Sequence, residues 1–355
     1  MNITFNRKNE IFFDQVKEKI EKYFSQARIK RTGNYKIYIK SAVFALMSIS
    51  CYLMILSLAF PLWGLAIVSI FLGVSFAGIG FNIMHDSAHG SFSSKKWLNE
   101  LAAYSLNLMG GNIFFWKNKH NINHHTFTNI EGKDEDIDIE PWIRSHVNQP
   151  RHWYHRYQHI YSLVLYGLTY FNWVFVEDFK KYFSKEIAGA KLNNFNLKEH
   201  AIFWVSKTFF FSVFIIIPII EIGFWKTVFV YTIMSVVCGF IMGIVFQLAH
   251  LVEDVEFPMP AEGSNKIKNN WILHQIATTV NFAPKNKAVF WFTGGLNFQV
   301  VHHLFPKINH IHYPKINVLI RETCVKFNIK YTEYPSVWSA LRSHLSYLKR
   351  MGSRG

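Results

Sequence analysis

The sequence predicts an all-α integral membrane protein: four transmembrane helices in two hairpins, plus a cytoplasmic helical cap holding a histidine-rich metal site. Three observations carry this reading. Half of the 355 residues are hydrophobic and 17% are charged, against about 25% in soluble domains. Residues 41–84 run without one charged side chain, and a second apolar stretch covers 202–249. Seven of the 17 histidines fall in three tight clusters at the ends of these stretches or outside them.

The first 40 residues carry ten Lys/Arg and form a basic cytoplasmic segment. They show no apolar core followed by a small-residue cleavage site, so no cleaved signal peptide is expected. Residues 41–84 would make a single helix of roughly 66 Å at 1.5 Å per residue. A hydrocarbon core is only about 30 Å thick, so the stretch must fold back, and Pro61 and Gly64 supply the break. The spans are read at about 41–60 and 63–84. A second hairpin follows at 202–221 and 226–249, with Glu221, Gly223 and Lys226 at its turn. Lys207 lies near one end, where its long stem can snorkel to the interface. Residues 41–320 form the membrane domain and 321–355 a cytoplasmic C-terminal segment.

The formal charge is +15. Of Lys and Arg, the two hairpin turns hold just Lys226, so the positive-inside rule puts both termini and the 86–200 loop in the cytoplasm. No basic stripe is interleaved with exposed aromatics, which argues against nucleic acid as a partner. Cys51, Cys238 and Cys324 are scattered and offer no disulfide framework or zinc-type pair. Residues 97–116 and 160–176 are borderline for spanning. A lone crossing by either would split the histidine clusters between the two faces, so both are read as interfacial or buried in the cap.

The clusters read "HDSAH" (His85, His89), "HNINHH" (His120, His124, His125) and "QVVHH" (Gln299, His302, His303). Residues i and i+4 share a helix face, so His85/His89 and His120/His124 can each aim two imidazoles at one point. His125 then reaches the region from about 100° around an α-helix. Gln299, His302 and His303 are an i, i+3, i+4 set, and Pro306 limits their helix. Imidazole suits Fe, Zn, Cu and Ni. Seven histidines exceed the three or four protein ligands of one zinc, so two metals are implied. His250 ends the fourth span in "FQLAH" and reads either as a further ligand or as a helix-end histidine favoured by the dipole. Asp86 is either an orienting partner for a ligand imidazole or a helix-cap carboxylate. His152, His155 and His159 lie in an interface-like Arg/Trp/Tyr setting. His310 and His312 read as structural or substrate-facing, and His274 as a group that could support a ligand. The acidic run "EGKDEDIDIEPW" (131–142) reads as a solvated loop, or as one tied down by salt bridges.

Three such boxes, with two spans before the first and two between the second and third, resemble the membrane fatty-acid desaturases over about residues 40–320. The QxxHH form of the third box, followed by "LFP", is similar to the front-end branch, which desaturates between an existing double bond and the carboxyl end. "FQLAH" and "TTVNFA" also resemble that branch, in particular its bacterial linoleoyl-CoA-desaturase-like members. The resemblance implies a diiron centre with His85, His89, His120, His124, His125, His302 and His303 as iron ligands and His250 as a further one. Gln299 and Asp86 would act behind the ligands or through water.

It also implies O₂-dependent insertion of a cis double bond into a fatty acyl substrate, as acyl-CoA or acyl-lipid, with two external electrons and reduction of O₂ to water. Residues 1–40 contain no His, and no HPGG haem motif occurs. The electron donor is therefore expected to be a separate protein, such as ferredoxin or cytochrome b5. The expected location is the bacterial inner membrane rather than the endoplasmic reticulum, with the active site cytoplasmic. Alternatives are a related diiron hydroxylase or sphingolipid desaturase, and a histidine-rich metal transporter. Transport sites sit near the bilayer midplane, whereas these clusters lie at span ends.

Overall fold

The computed structural model describes residues 3–6, 10–57, 59–192, 195–260 and 264–353. Residues 1, 2 and 7–9 of the expected basic segment, and the last two of the C-terminal segment, lie outside the described residues. The chain is mostly helical and divides into two units. One comprises Asn34–Asn118 and Ser162–Ile244; the other comprises Met1–Gly33, Lys119–Tyr161 and Val245–Gly355.

Among the described residues, four helices are long and apolar enough to cross a membrane: Tyr35–Leu56, Leu62–Ala88, Leu197–Ile222 and Phe224–His250. Their cores match the four apolar segments of the sequence, but their ends differ because polar caps rather than hydropathy set them. Asn34 accepts from the Lys36 N–H and Asn196 from the Glu199 N–H, so the first and third helices begin several residues before the apolar run. The second passes through a π turn at Gly80–Met84 and continues to Ala88, carrying His85 within the same rod. In the third, Ser212–Ile216 is a π turn directly ahead of Pro218, whose missing N–H breaks the regular ladder.

Within this unit the first two helices touch at Lys40–Asn82, Phe44–Gly78 and Ser48–Ser75, a series that runs in opposite chain directions. A side chain at Gly78 would collide with the Phe44 ring. Gly239 plays the same part on the fourth helix, where a Cβ would stand 2.7 Å from the Gly167 carbonyl oxygen. Residues 97–116 form no rod: Lys96–Ala103, Ser105–Leu108 and Ile113–Trp116 are separate short helices, with Gly110 at φ 90 between the last two. The stretch expected at 160–176 is a helix, Gln158–Asn172, that runs on through a π turn into Asp178–Ser184.

Lys207 does not snorkel. It is 1% exposed, and its ammonium donates to Gly110 O (2.7 Å), Val174 O (2.8 Å) and Asp178 Oδ2 (3.0 Å). Hydropathy could not show this, because the counter-charge lies 29 residues away in sequence.

The other unit is built around the short helix Gln299–Leu304. The amphipathic helix Glu10–Ala27 buries Phe12, Val16, Ile20 and Phe24 at four-residue spacing. These pack with Val300, Val301, Ile316 and Ile320 of the third-box helix and of helix Tyr313–Lys326. Each such side chain contributes about 1.5–3 kcal/mol by leaving water. The C-terminal helix Val337–Ser353 is pinned by buried polar bonds: Arg144 donates to Met351 O, Gln158 to Leu348 O, and Tyr347 to Ser145 O. Among the described residues, strands are confined to two-residue clips, such as Thr4–Phe5 with Lys266–Ile267 and Asn281–Phe282 with Glu333–Tyr334.

Candidate metal centre

The second box does not sit on an α-helix. Lys117–His124 is π-helical and His125 opens the following turn. A π turn closes at i→i+5, roughly 4.4 residues per turn. At that pitch His124 and His125 fall roughly 30° and 50° to either side of His120 rather than pointing apart. The widened turn therefore brings all three imidazoles of HxxxHH to one side, where an α-helix would bring two.

The third box is α-helical over Gln299–Leu304, as its i, i+3, i+4 spacing predicts, and Gln299, His302 and His303 are all buried. His250, the last residue of its helix, is buried beside them. Ring centroids stand 4.5 Å apart for His125–His303, 4.6 Å for His125–His302, 4.7 Å for His124–His250 and 4.9 Å for His124–His303. His120 lies 5.1 Å from His124 and 6.0 Å from His302. One ring nitrogen each from His124, His250 and His303 falls within 4.8 Å of the others. Phe246 stacks on His250 at 4.7 Å and closes the apolar side of the group.

Gln299 lies inside this arrangement. Its amide Nε2 is 2.9 Å from His250 Nε2 and 3.4 Å from His303 Nε2. Its Oε1 is buried, with no hydrogen-bond partner among the described residues.

The acidic run is not merely a solvated loop. His124 Nδ1–H donates to Asp134 at 2.9 Å, and the Asp134 side chain is fully buried. His120 Nδ1–H donates to Asp136 Oδ2 at 2.9 Å, and Lys119 pairs with the same carboxylate at 2.8 Å. Burial pulls the His124 pKa down, but the charge and hydrogen bond of Asp134 outweigh it and the net shift is upward. For His120 burial wins over Asp136, and the shift is downward. Burial pushes Asp136 up, yet Lys119 and the two imidazoles hold it well below the ordinary carboxylate value. The spacing of the run gave one clue: Asp134 and Asp136 alternate in an otherwise basic chain.

In the other unit, His85 and His89 face each other with centroids 4.8 Å apart, and both meet Trp116 edge-on, at 5.7 and 6.0 Å. Asp86 is buried, with its carboxylate close enough to Lys40 to attract its ammonium. The remaining histidines that the sequence singles out are elsewhere. His155 bonds Pro141 O at 2.8 Å, His312 lies against Phe24, and His274 packs on the Phe5 ring.

The donor set fits a nitrogen-bound metal. The imidazoles are buried, and carboxylates hold the Nδ1 side of His120 and His124, which turns Nε2 to the opposite edge of each ring. His124 Nε2 is buried with no hydrogen-bond partner among the described residues, a cost of about 1–3 kcal/mol that a bound cation would relieve. A carboxylate–histidine–metal arrangement of this kind is the usual way to fix a ligand tautomer.

Comparison with known proteins agrees with this chemistry. The fatty acid desaturase family model matches residues 34–335. The acyl-lipid (8-3)-desaturase of Physcomitrium patens is 36% identical over 97% of this chain and 72% of its own length. The sn-1 linoleoyl-lipid 6-desaturase of Arthrospira platensis is 33% identical over 96% of this chain and 92% of its own. A protein of the same name from Synechocystis sp. is 31% identical over 94% of each. With the three histidine boxes, the four apolar helices and a match over most of its length, the chain belongs to the fatty acid desaturase family.

Proposed function

We propose that this protein is a front-end acyl-lipid desaturase, an O₂-dependent oxidoreductase that inserts a cis double bond between an existing one and the carboxyl end of a fatty acyl chain. Family membership carries the desaturation, and the relatives named for 6- and (8-3)-desaturation of acyl lipids support the front-end type. The observation that carries the metal chemistry is the buried convergence of His124, His250 and His303.

Two iron ions would be held by His85, His89, His120, His124, His125, His250, His302 and His303, with His85 and His89 assigned on the motif alone. Gln299 stands close enough to His250 and His303 to touch a metal directly or through one water. When bound, the irons supply the O₂-dependent oxidation of an unactivated methylene that no side chain can perform. The chain supplies the rest. Asp134 and Asp136 keep the proton of His124 and His120 on Nδ1. Phe246, against His250 and His124, keeps that side apolar. Two electrons per turnover come from a redox protein that meets the cytoplasmic face.

The four apolar helices form two hairpins in the bilayer, with both termini and the histidines on the cytoplasmic side. The basic balance of the chain, +15, supports that orientation. The antiparallel contacts between the first two helices support the first hairpin.

Expression in a desaturase-poor host fed linoleate or oleate, followed by mass-spectrometric mapping of double bonds, tests the proposal. The expected product carries a new cis bond on the carboxyl side of the existing one. A hydroxylated chain, or a new bond on the methyl side, would refute it. Purified protein should hold two irons per chain.

A further inference from the structure

We propose that Gln275 is a positioning residue: it fixes which nitrogen of His303 carries the proton and so which nitrogen is offered to the metal. This rests on the reading of His303 as a ligand. Gln275 is fully buried in helix Trp271–Thr278, whose N-terminus is capped by Asn270. Its side chain makes three contacts. Nε2 lies 3.0 Å from the His125 carbonyl oxygen, and Oε1 lies 2.7 Å from His303 Nδ1 and 2.9 Å from Thr128 Oγ1.

The two ends of an amide look alike by shape, so the chemistry of the partners must orient it. The His125 carbonyl can only accept, and it already receives the Trp271 indole N–H at 3.1 Å. The amide end facing it is therefore the NH₂. The other end is then the oxygen, which can only accept. His303 Nδ1 must carry the hydrogen it receives, and the lone pair is left on Nε2.

Gln275 thus does for the third box what Asp134 and Asp136 do for the second, but without a charge. It also ties the two boxes together, since one amide reads both the His125 backbone and the His303 ring. His303 shares its triad with His124 and His250, so the effect falls on one of the two metal positions. Removing a group of this kind typically weakens a metal site about 10–100-fold.

Two variants test this in the full-length, detergent-solubilised protein. Gln275→Leu keeps the volume and removes the acceptor. Gln275→Glu keeps an acceptor at Nδ1 and loses the donation to His125. Three quantities are read: iron affinity by chelator competition, Mössbauer spectra, and the thermal midpoint of the iron-free protein. Gln275→Leu should leave one iron tight, weaken the other about 10–100-fold, and alter one of two spectral components. Gln275→Glu, normalised to folded protein, should bind iron more tightly than the leucine variant. Two irons held by Gln275→Leu with wild-type affinity would overturn the inference. So would an equal change in both spectral components, which is the mark of general loosening, or iron binding by Gln275→Glu no tighter than by Gln275→Leu. Wild-type protein that binds no iron would instead overturn the metal reading on which the inference stands.

Discussion

Replacing Asp134 by Asn changes one atom and should separate an orienting carboxylate from a loop charge. Asp134 accepts from three donors while fully buried. Both oxygens face His124 Nδ1, at 3.0 and 2.9 Å; Oδ2 also takes the Asn129 N–H at 2.9 Å and Oδ1 the Asp136 N–H at 3.0 Å. Asn fits the same space but must turn its NH₂ toward one of the two backbone donors. A donor then meets a donor where an ionic acceptor stood. Losing a hydrogen bond to a charged group costs about 1.5–3 kcal/mol, and stranding the backbone N–H about 1–3 kcal/mol more. The iron-free protein should lose roughly 3 kcal/mol. His124 also loses the charge that makes it a stronger donor, so iron affinity should fall about 10–100-fold.

The matched control is Asp138→Asn, four residues along the same acidic run but exposed. Both variants are compared with wild type by thermal unfolding without iron, iron titration against a chelator, and desaturation of linoleate in cells. Asp134→Asn should fail on all three, and Asp138→Asn should match wild type. If the two variants behave alike, the acidic run is a solvated loop and the orienting role is wrong.

His302→Ala should abolish desaturation and lower iron content while the protein still fractionates with membranes; retained iron with full activity would remove His302 from the site. Gln299→His should fold but show altered or reduced activity, read as product yield and double-bond position, because a ring then occupies the space between His250 and His303. Lys207→Met should lower stability by about 3–5 kcal/mol, since it strands the buried Asp178 carboxylate. Adding Asp178→Leu should recover much of the loss in a thermal-shift assay. His344 is buried with its Nδ1 on Leu251 O, and burial holds its pKa down from 6.5 to about 4. The unfolded chain takes up this proton first, so stability is full above pH 6.5 and falls as pH drops towards 4. The loss is on the order of 3 kcal/mol at 1.36 kcal/mol per unit. His344→Gln should flatten that acid limb in unfolding measured from pH 7 to 4.5.

The four apolar helices and the three boxes were legible because each rests on local pattern: uncharged length for the helices, residue type and spacing for the boxes. What the pattern misjudged has a physical cause in each case. Helix ends follow the Asn34 and Asn196 caps, which hydropathy ignores. The 100° offset assigned to His125 assumed an α-helix, and nothing in "KNKHNINH" announces the π turn that brings its ring round. Lys207 looked like a surface lysine because Asp178 is distant in sequence. His274 drew attention as a histidine, but its neighbour Gln275 is the residue that touches His303. A buried glutamine carries no signal of its own, since its role exists only through partners 28 and 150 residues away. For the acidic run the salt-bridged alternative holds at Asp134 and Asp136, but its partners, two histidines of the second box and Lys119, are not legible from the run itself.

The two aspartates also answer an electrostatic problem in the proposed centre. Imidazoles and a glutamine amide are neutral donors, so two divalent irons would bring their whole charge into a buried site with none to balance it. Isolated buried charge is among the costliest arrangements a protein can hold. In the His124, His250 and His303 group the converging atoms are all nitrogens, so the counter-charges come from outside it. They stand one ring further out: Asp134 behind His124 and Asp136 behind His120. Each would act on a bound metal through an imidazole, whose Nδ1–H bond transmits the negative charge and strengthens Nε2 as a donor. Lys119, 2.8 Å from Asp136, then sets how much of that second charge is available. Lys119→Met should therefore strengthen iron binding slightly rather than weaken it, as measured by chelator competition. A weaker site in that variant would show that Asp136 serves the loop and not the metal.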